Sequence, residues 1–137
     1  MSQHEVTLLL GSNLGNPQNN VEVALRRIEK EIGPIIKVSE MLFTEPVEFD
    51  STNIFCNIAI VIKTQFSPVE IFNSIKIIER EMGRLVDTTI SGKYQDRIID
   101  IDIVRFNALQ FYCRELIIPH EKHLYHRDFS RKLLDEL

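Results

Sequence analysis

The sequence predicts an α+β sandwich, an antiparallel sheet with helices packed on it. Two stretches of helical periodicity interrupt apolar runs too short to be helices. The stretches follow one another in the order β-α-β-β-α-β, and Pro17, Gly33-Pro34, Pro68 and Gly83 mark the helix boundaries. That order is the split βαβ, ferredoxin-like pattern.

Val6 to Leu10 is an apolar run ending at Gly11, which predicts a strand. Asn16-Pro17 supplies a good N-cap and a residue preorganised for the first helical position. Val21, Ala24, Leu25, Ile28 and Ile32 then recur at helical spacing until Gly33-Pro34 stops the helix. Ile35 to Phe43 reads as a second strand, and Thr44 to Asn53 as a polar, acidic loop. Ile54 to Lys63 reads as a third strand. Its Ile54, Cys56, Ile58, Ile60 and Ile62 share one face, while Phe55, Asn57, Ala59, Val61 and Lys63 share the other.

Ser67-Pro68-Val69-Glu70 is a capping-box signature, opening a helix whose Ile71, Phe72, Ile75, Ile78 and Met82 fall on one stripe before Gly83. A polar loop from Arg84 to Asp96 leads into a strand from Arg97 to Phe106. The remainder predicts a short hairpin through Phe111 to Ile118 and one or two short helical turns.

A chain of 137 residues, 44% of them hydrophobic, has material for one core and one domain over 1–137. Cys56 and Cys113 are far apart in apolar runs and suggest neither a disulfide framework nor a metal knuckle. No apolar stretch reaches the roughly 20 residues that span a bilayer, and Met1 to Glu5 is polar, so no membrane partner and a cytoplasmic location are expected. A net charge of -4 argues against a nucleic-acid partner. The positive charge of the C-terminal half, including Arg84, Lys93, Arg97 and Arg127, reads either as solvated surface or as a compact anion site.

The strand Arg97 to Val104 carries the sharpest feature. Asp100 and Asp102 stand side by side on one face while Ile99, Ile101 and Ile103 take the core face. Two such carboxylates repel, and a divalent cation would remove that repulsion. Alone, the pair reads equally as an exposed polar face. Arg97, Arg84 and Lys93 stand near it in sequence and suit phosphate oxygens. No Gly-x4-Gly-Lys-Ser/Thr phosphate loop is present, and Gly11 to Asn16 reads by itself as a strand-to-helix turn. His120, His123 and His126 are spaced by three and read as surface residues rather than a zinc site.

In combination these segments resemble one family, the 6-hydroxymethyl-7,8-dihydropterin pyrophosphokinases. Gly11-Ser12-Asn13-Leu14-Gly15 is similar to the family's Gly-Ser-Asn-Leu opening, and Thr44-Glu45-Pro46 to its Thr-x-Pro loop. Phe55-Cys56-Asn57 resembles its aromatic-x-Asn strand, and Gly83-Arg84 with Arg97 to Asp102 its Gly-Arg and Arg-x-x-Asp-x-Asp core. Pro119-His120 and Arg127-Asp128-Phe129 complete the series in order. Tyr94 stands where the family often has tryptophan, and Asp96 where it has proline.

The resemblance implies Mg-dependent transfer of pyrophosphate from ATP to 6-hydroxymethyl-7,8-dihydropterin, giving AMP and the pterin diphosphate, a step of folate biosynthesis. It implies two Mg²⁺ ions on Asp100 and Asp102, with Arg84 and Arg97 steadying the migrating group. ATP contacts fall to Glu79, Arg84, Lys93, Arg97, Ile103, His120 and Arg127. Pterin contacts fall to Thr44, Glu45, Val47, Phe55, Asn57 and Phe129, with the two phenylalanines sandwiching the ring. By themselves these aromatics would read as core residues. Only small-molecule partners are expected, in a monomer or weak dimer. A ligand-binding module on the same fold and a different Mg-dependent transferase are the rival readings.

Overall fold

A computed structural model of the chain describes residues 3–44, 54–83, 98–108, 110–112, 116–120, 122–123 and 128–137. The first strand, β1, runs His4–Ser12, longer than the apolar run because Gly11 and Ser12 continue the ladder. Helix α1 spans Pro17–Glu31, and its cap is the predicted one, with Asn16 Oδ1 accepting the Asn19 N–H at 3.2 Å. Val21, Ala24 and Ile28 are its buried stripe. The chain then passes hard against the third long strand. A β-carbon at Gly33 would lie 1.9 Å from the Lys63 carbonyl oxygen, so only glycine fits there.

The single strand expected over Ile35 to Phe43 is two, β2 (Ile35–Val38) and β3 (Leu42–Thr44), both antiparallel to β4 (Phe55–Thr64). The break has a physical cause. Ser39 Oγ accepts the Ala59 N–H at 2.9 Å, standing in for a main-chain carbonyl, and the Ser39 N–H returns a 2.9 Å bond to the Ala59 carbonyl. Ile54 lies outside the ladder and is exposed, so the buried stripe of β4 begins at Cys56 rather than Ile54.

Helix α2 covers Pro68–Glu81 and has the predicted capping box. Ser67 Oγ accepts the Glu70 N–H at 3.2 Å, and Glu70 Oε1 accepts the Ser67 N–H at 2.9 Å. Arg27 of α1 reaches across to Glu81 of α2 at 2.6 Å while also holding Glu31 at 2.6 Å. Such exposed pairs contribute little to stability and serve chiefly to align the two helices.

Strand β5 is Asp100–Phe106, three residues shorter at its start than expected, and Arg97 lies outside the described residues. The predicted hairpin is β6 (Phe111–Tyr112) against β7 (Ile117–Ile118). The expected helical turns at the end include a full eight-residue helix, α3 (Asp128–Asp135).

The main sheet has the order β2-β4-β1-β5, with β3 also on β4. Its pairings are all antiparallel, which with β-α-β-β-α-β connectivity gives the predicted ferredoxin-like α+β fold. The isoleucine face packs on α1 and α2 in one cluster containing Leu8, Leu10, Ile28, Ile58, Ile60, Ile75, Ile78, Ile99, Ile101 and Ile103. On the opposite face Leu9, Ala59 and Val104 receive Leu133 of α3. Burying Leu133 fully contributes about 2 kcal/mol, which anchors a helix too short to be stable alone. No helix among the described residues is long and apolar enough to cross a membrane.

Candidate active site

The uncovered part of that second face is where the chemistry-bearing residues meet. In the register of the sheet, Gly11 of β1 pairs with Asn57 of β4 on one side and Asp100 of β5 on the other. The next row on the same face is Ala59, Leu9 and Asp102. Asn57 and Asp100 therefore flank a glycine two strand spacings apart, about 10 Å between main chains. The missing side chain at Gly11 leaves room that the Asn57 side chain leans into.

Asn57 is 5% exposed, and its Nδ2 donates to Thr44 Oγ1 at 3.3 Å, which ties β3 to the amide. Its Oδ1 leans over Gly11, 2.8 Å from where a β-carbon would stand. Phe55, two residues earlier, shares the face and is half-buried. Phe129, in the first turn of α3, is half-buried against the cluster of Leu9, Ala59, Val104 and Leu133. Thr44, Phe55, Asn57 and Phe129 thus lie along or against one sheet face with Asp100 and Asp102.

Asp100 and Asp102 are both half-buried, with Ile99, Ile101 and Ile103 in the core behind them as the alternation predicted. The Ile103 side chain is on the core face, so any contact it makes to a ligand on the aspartate face falls to its main chain. Glu79 of α2 is 1% exposed, with Oε2 accepting the Ile101 N–H at 2.8 Å and Oε1 paired with Lys76 at 3.2 Å. The edge strand β5 would otherwise leave that N–H, between the two aspartates, without a ladder partner. Glu79 thereby fixes the strand that carries the pair.

His123 was expected at the surface and is instead 2% exposed. Its Nε2 lies 2.7 Å from Asp102 Oδ2 and its Nδ1 2.6 Å from Ser130 Oγ. A carboxylate only accepts, so Nε2 donates to Asp102, while Nδ1 is bonded to the Ser130 hydroxyl. Burial comes from α3, which brings Ser130, itself fully buried, over the ring. His120 hangs on β5 through its N–H to the Val104 carbonyl at 2.9 Å. Its ring lies 4.2 Å from that of His123, with Nε2 3.8 Å from Asp102 Oδ2. Ligand atoms of Asp102, His120 and His123 all lie within 4.8 Å of one another, so two of the three histidines read as surface residues converge on the aspartate strand.

The donor set suits Mg²⁺. Two carboxylates two residues apart on one half-buried face supply hard oxygen ligands, and phosphate oxygens and water would complete an octahedron. Of the remaining expected residues, Glu45, Val47, Arg84, Lys93, Arg97 and Arg127 lie outside the described residues, as does His126. Cys56 is buried and its thiol is pushed up from the ordinary value, chiefly by burial, so it serves as core rather than nucleophile.

A sequence model of the 7,8-dihydro-6-hydroxymethylpterin-pyrophosphokinase family matches residues 7–137. The chain is 34% identical over 133 residues to 2-amino-4-hydroxy-6-hydroxymethyldihydropteridine pyrophosphokinase of Porphyromonas gingivalis, covering 96% of this chain and 89% of that one. Against the Bacillus subtilis protein of the same description the identity is 31% over 131 residues, covering 95% and 75%. A Plasmodium falciparum HPPK-DHPS crystal structure superposes with a TM-score of 0.73 at 20% identity over 99% of this chain. The present chain spans 40% of the length of that solved chain, a likeness of fold.

Proposed function

The chain belongs to the 7,8-dihydro-6-hydroxymethylpterin-pyrophosphokinase family, and we propose that it transfers pyrophosphate from ATP to 6-hydroxymethyl-7,8-dihydropterin in folate biosynthesis. The observation that carries this reading is the row Asn57, Gly11, Asp100. It sets a hydrogen-bonding amide and a carboxylate pair on one sheet face, two strand spacings apart, about 10 Å between main chains.

In this reading the hydroxymethyl oxygen forms a bond to the β-phosphorus of ATP. The bond from that phosphorus to the oxygen it shares with the α-phosphate breaks, AMP leaves, and the hydroxyl proton is released. Asn57 reads the donor and acceptor edge of the pterin, fixed by its bond to Thr44. Glu45 and Val47 belong to the same pterin loop, and Phe55 and Phe129 hold the ring faces. Asp100 and Asp102 would hold two Mg²⁺ ions, which when bound neutralise charge developing on the phosphates. Arg84 and Arg97 steady the migrating group, and Lys93, His120 and Arg127 contact ATP. Glu79 acts through the main chain of Ile101. Alignment and charge stabilisation then supply most of the rate, since phosphoryl chemistry asks little covalent help of a protein. The whole activity sits in one domain over residues 1–137.

Product identity tests the proposal. ATP, Mg²⁺ and the pterin alcohol should yield AMP, and only when the pterin is present. ADP in place of AMP would indicate transfer of a single phosphoryl group and overturn the pyrophosphokinase reading.

A further inference from the structure

We propose that His123 is a positioning residue that makes Asp102 a one-oxygen ligand and so biases the cation site toward Mg²⁺ over Ca²⁺. The inference rests on the reading of Asp102 as a cation ligand. His123 is held at both ring nitrogens, by Asp102 Oδ2 at 2.7 Å and by Ser130 Oγ at 2.6 Å. Ser130 is fully buried on α3, which Leu133 anchors into the sheet, so the ring has no room to swing away. His120 lies alongside: its Nδ1 accepts the His123 N–H at 3.4 Å, and its Nε2 is 3.8 Å from the same Oδ2.

Oδ2 is engaged in a charge-assisted bond to a buried ring, so a cation that chelated the carboxylate through both oxygens would have to share Oδ2 with the imidazole proton, which weakens that bond. Ca²⁺ takes six to eight oxygens at long distance and commonly uses bidentate carboxylates. Mg²⁺ takes six in a tight octahedron and uses one oxygen per carboxylate. Competition with the His123 bond therefore weighs more on Ca²⁺ than on Mg²⁺. A histidine that no substrate needs to touch thus acts on cation choice, through the orientation of Asp102.

The test measures metal binding directly. Mn²⁺ held in the complex with a non-hydrolysable ATP analogue is followed by electron paramagnetic resonance and displaced with Mg²⁺ or Ca²⁺, and the ratio of the two affinities is read. His123→Asn keeps an amide near the Nδ1 position but cannot reach Asp102, and should shift the ratio toward Ca²⁺ by about tenfold, the scale of one hydrogen bond to a charged group. His123→Gln places its amide nitrogen near the Nε2 position and should restore the ratio. Ser130→Ala, which loosens the ring and leaves a small side chain in the core, should shift it the same way as His123→Asn but less. An unchanged ratio in His123→Asn and Ser130→Ala overturns the proposal, as does a shift that His123→Gln fails to reverse. Mn²⁺ binding that persists undiminished in Asp102→Ala overturns the cation reading itself, and the proposal with it.

Discussion

Gly11 and Asn57 stand opposite each other in the β1–β4 ladder, and a β-carbon on residue 11 would lie 2.8 Å from Asn57 Oδ1. The clash is with the end of a side chain rather than with main chain, so Gly11→Ala should displace the Asn57 amide and leave the sheet intact. Pterin affinity should fall by about tenfold, the scale of one hydrogen bond lost, while the melting temperature stays within a few degrees. Fluorescence titration of the pterin beside a thermal melt checks both.

Asp100 and Asp102 lie on one strand face with the isoleucine core behind them, so their removal opens no cavity in that core, although Asp102→Ala also strips the buried His123 ring of its partner and should cost about 1–3 kcal/mol of stability. Asp100→Ala and Asp102→Ala should each lower turnover by about two to three orders of magnitude, as lost transition-state electrostatics do. Pterin binding without nucleotide should remain near the wild-type value. Turnover surviving in either variant would remove that residue from the metal site.

Glu79 is buried with its carboxylate on the Ile101 N–H. Glu79→Ala strands that donor on an edge strand, which should cost about 1–3 kcal/mol in denaturant unfolding. Glu79→Gln keeps an oxygen acceptor in place and should cost less. Turnover should follow the same order, because the N–H lies between the two aspartates.

The α2 capping box gives a pH dependence with a definite sign. Glu70 accepts the Ser67 N–H, and this bond holds its carboxyl below the ordinary value of 4.5. A lowered folded value means the contribution is fully present above 4.5 and is lost as pH falls through the lowered value. The stability difference between wild type and Glu70→Gln should therefore be constant at neutral pH and shrink on the acid side of 4.5 in pH-dependent denaturation. Ser67→Ala should cost about 1 kcal/mol at neutral pH.

Much of this was legible in the chain because period and punctuation carry it. Asp100 and Asp102 had to share a face once Ile99, Ile101 and Ile103 were assigned to the core, and Asn16, Ser67 and Glu70 announced both helix starts. What was not legible depends on contacts distant in sequence. Ser39 splits β2 from β3 because its hydroxyl takes an N–H from Ala59, twenty residues on, and nothing local distinguishes it from a strand serine. His123 looks like a surface histidine until α3 docks and brings Ser130 onto it. That helix has eight residues, too few for a periodic pattern to stand out, and its position over Leu9, Ala59 and Val104 decides which residues are buried beneath it.

Phosphorus NMR of the protein with ATP, Mg²⁺ and 6-hydroxymethyl-7,8-dihydropterin, run against a control without pterin, tests the central claim most directly. AMP and the pterin diphosphate ester should rise together, in equal amounts and only with the pterin. Unchanged ATP in a sample where pterin binding is demonstrated would contradict it.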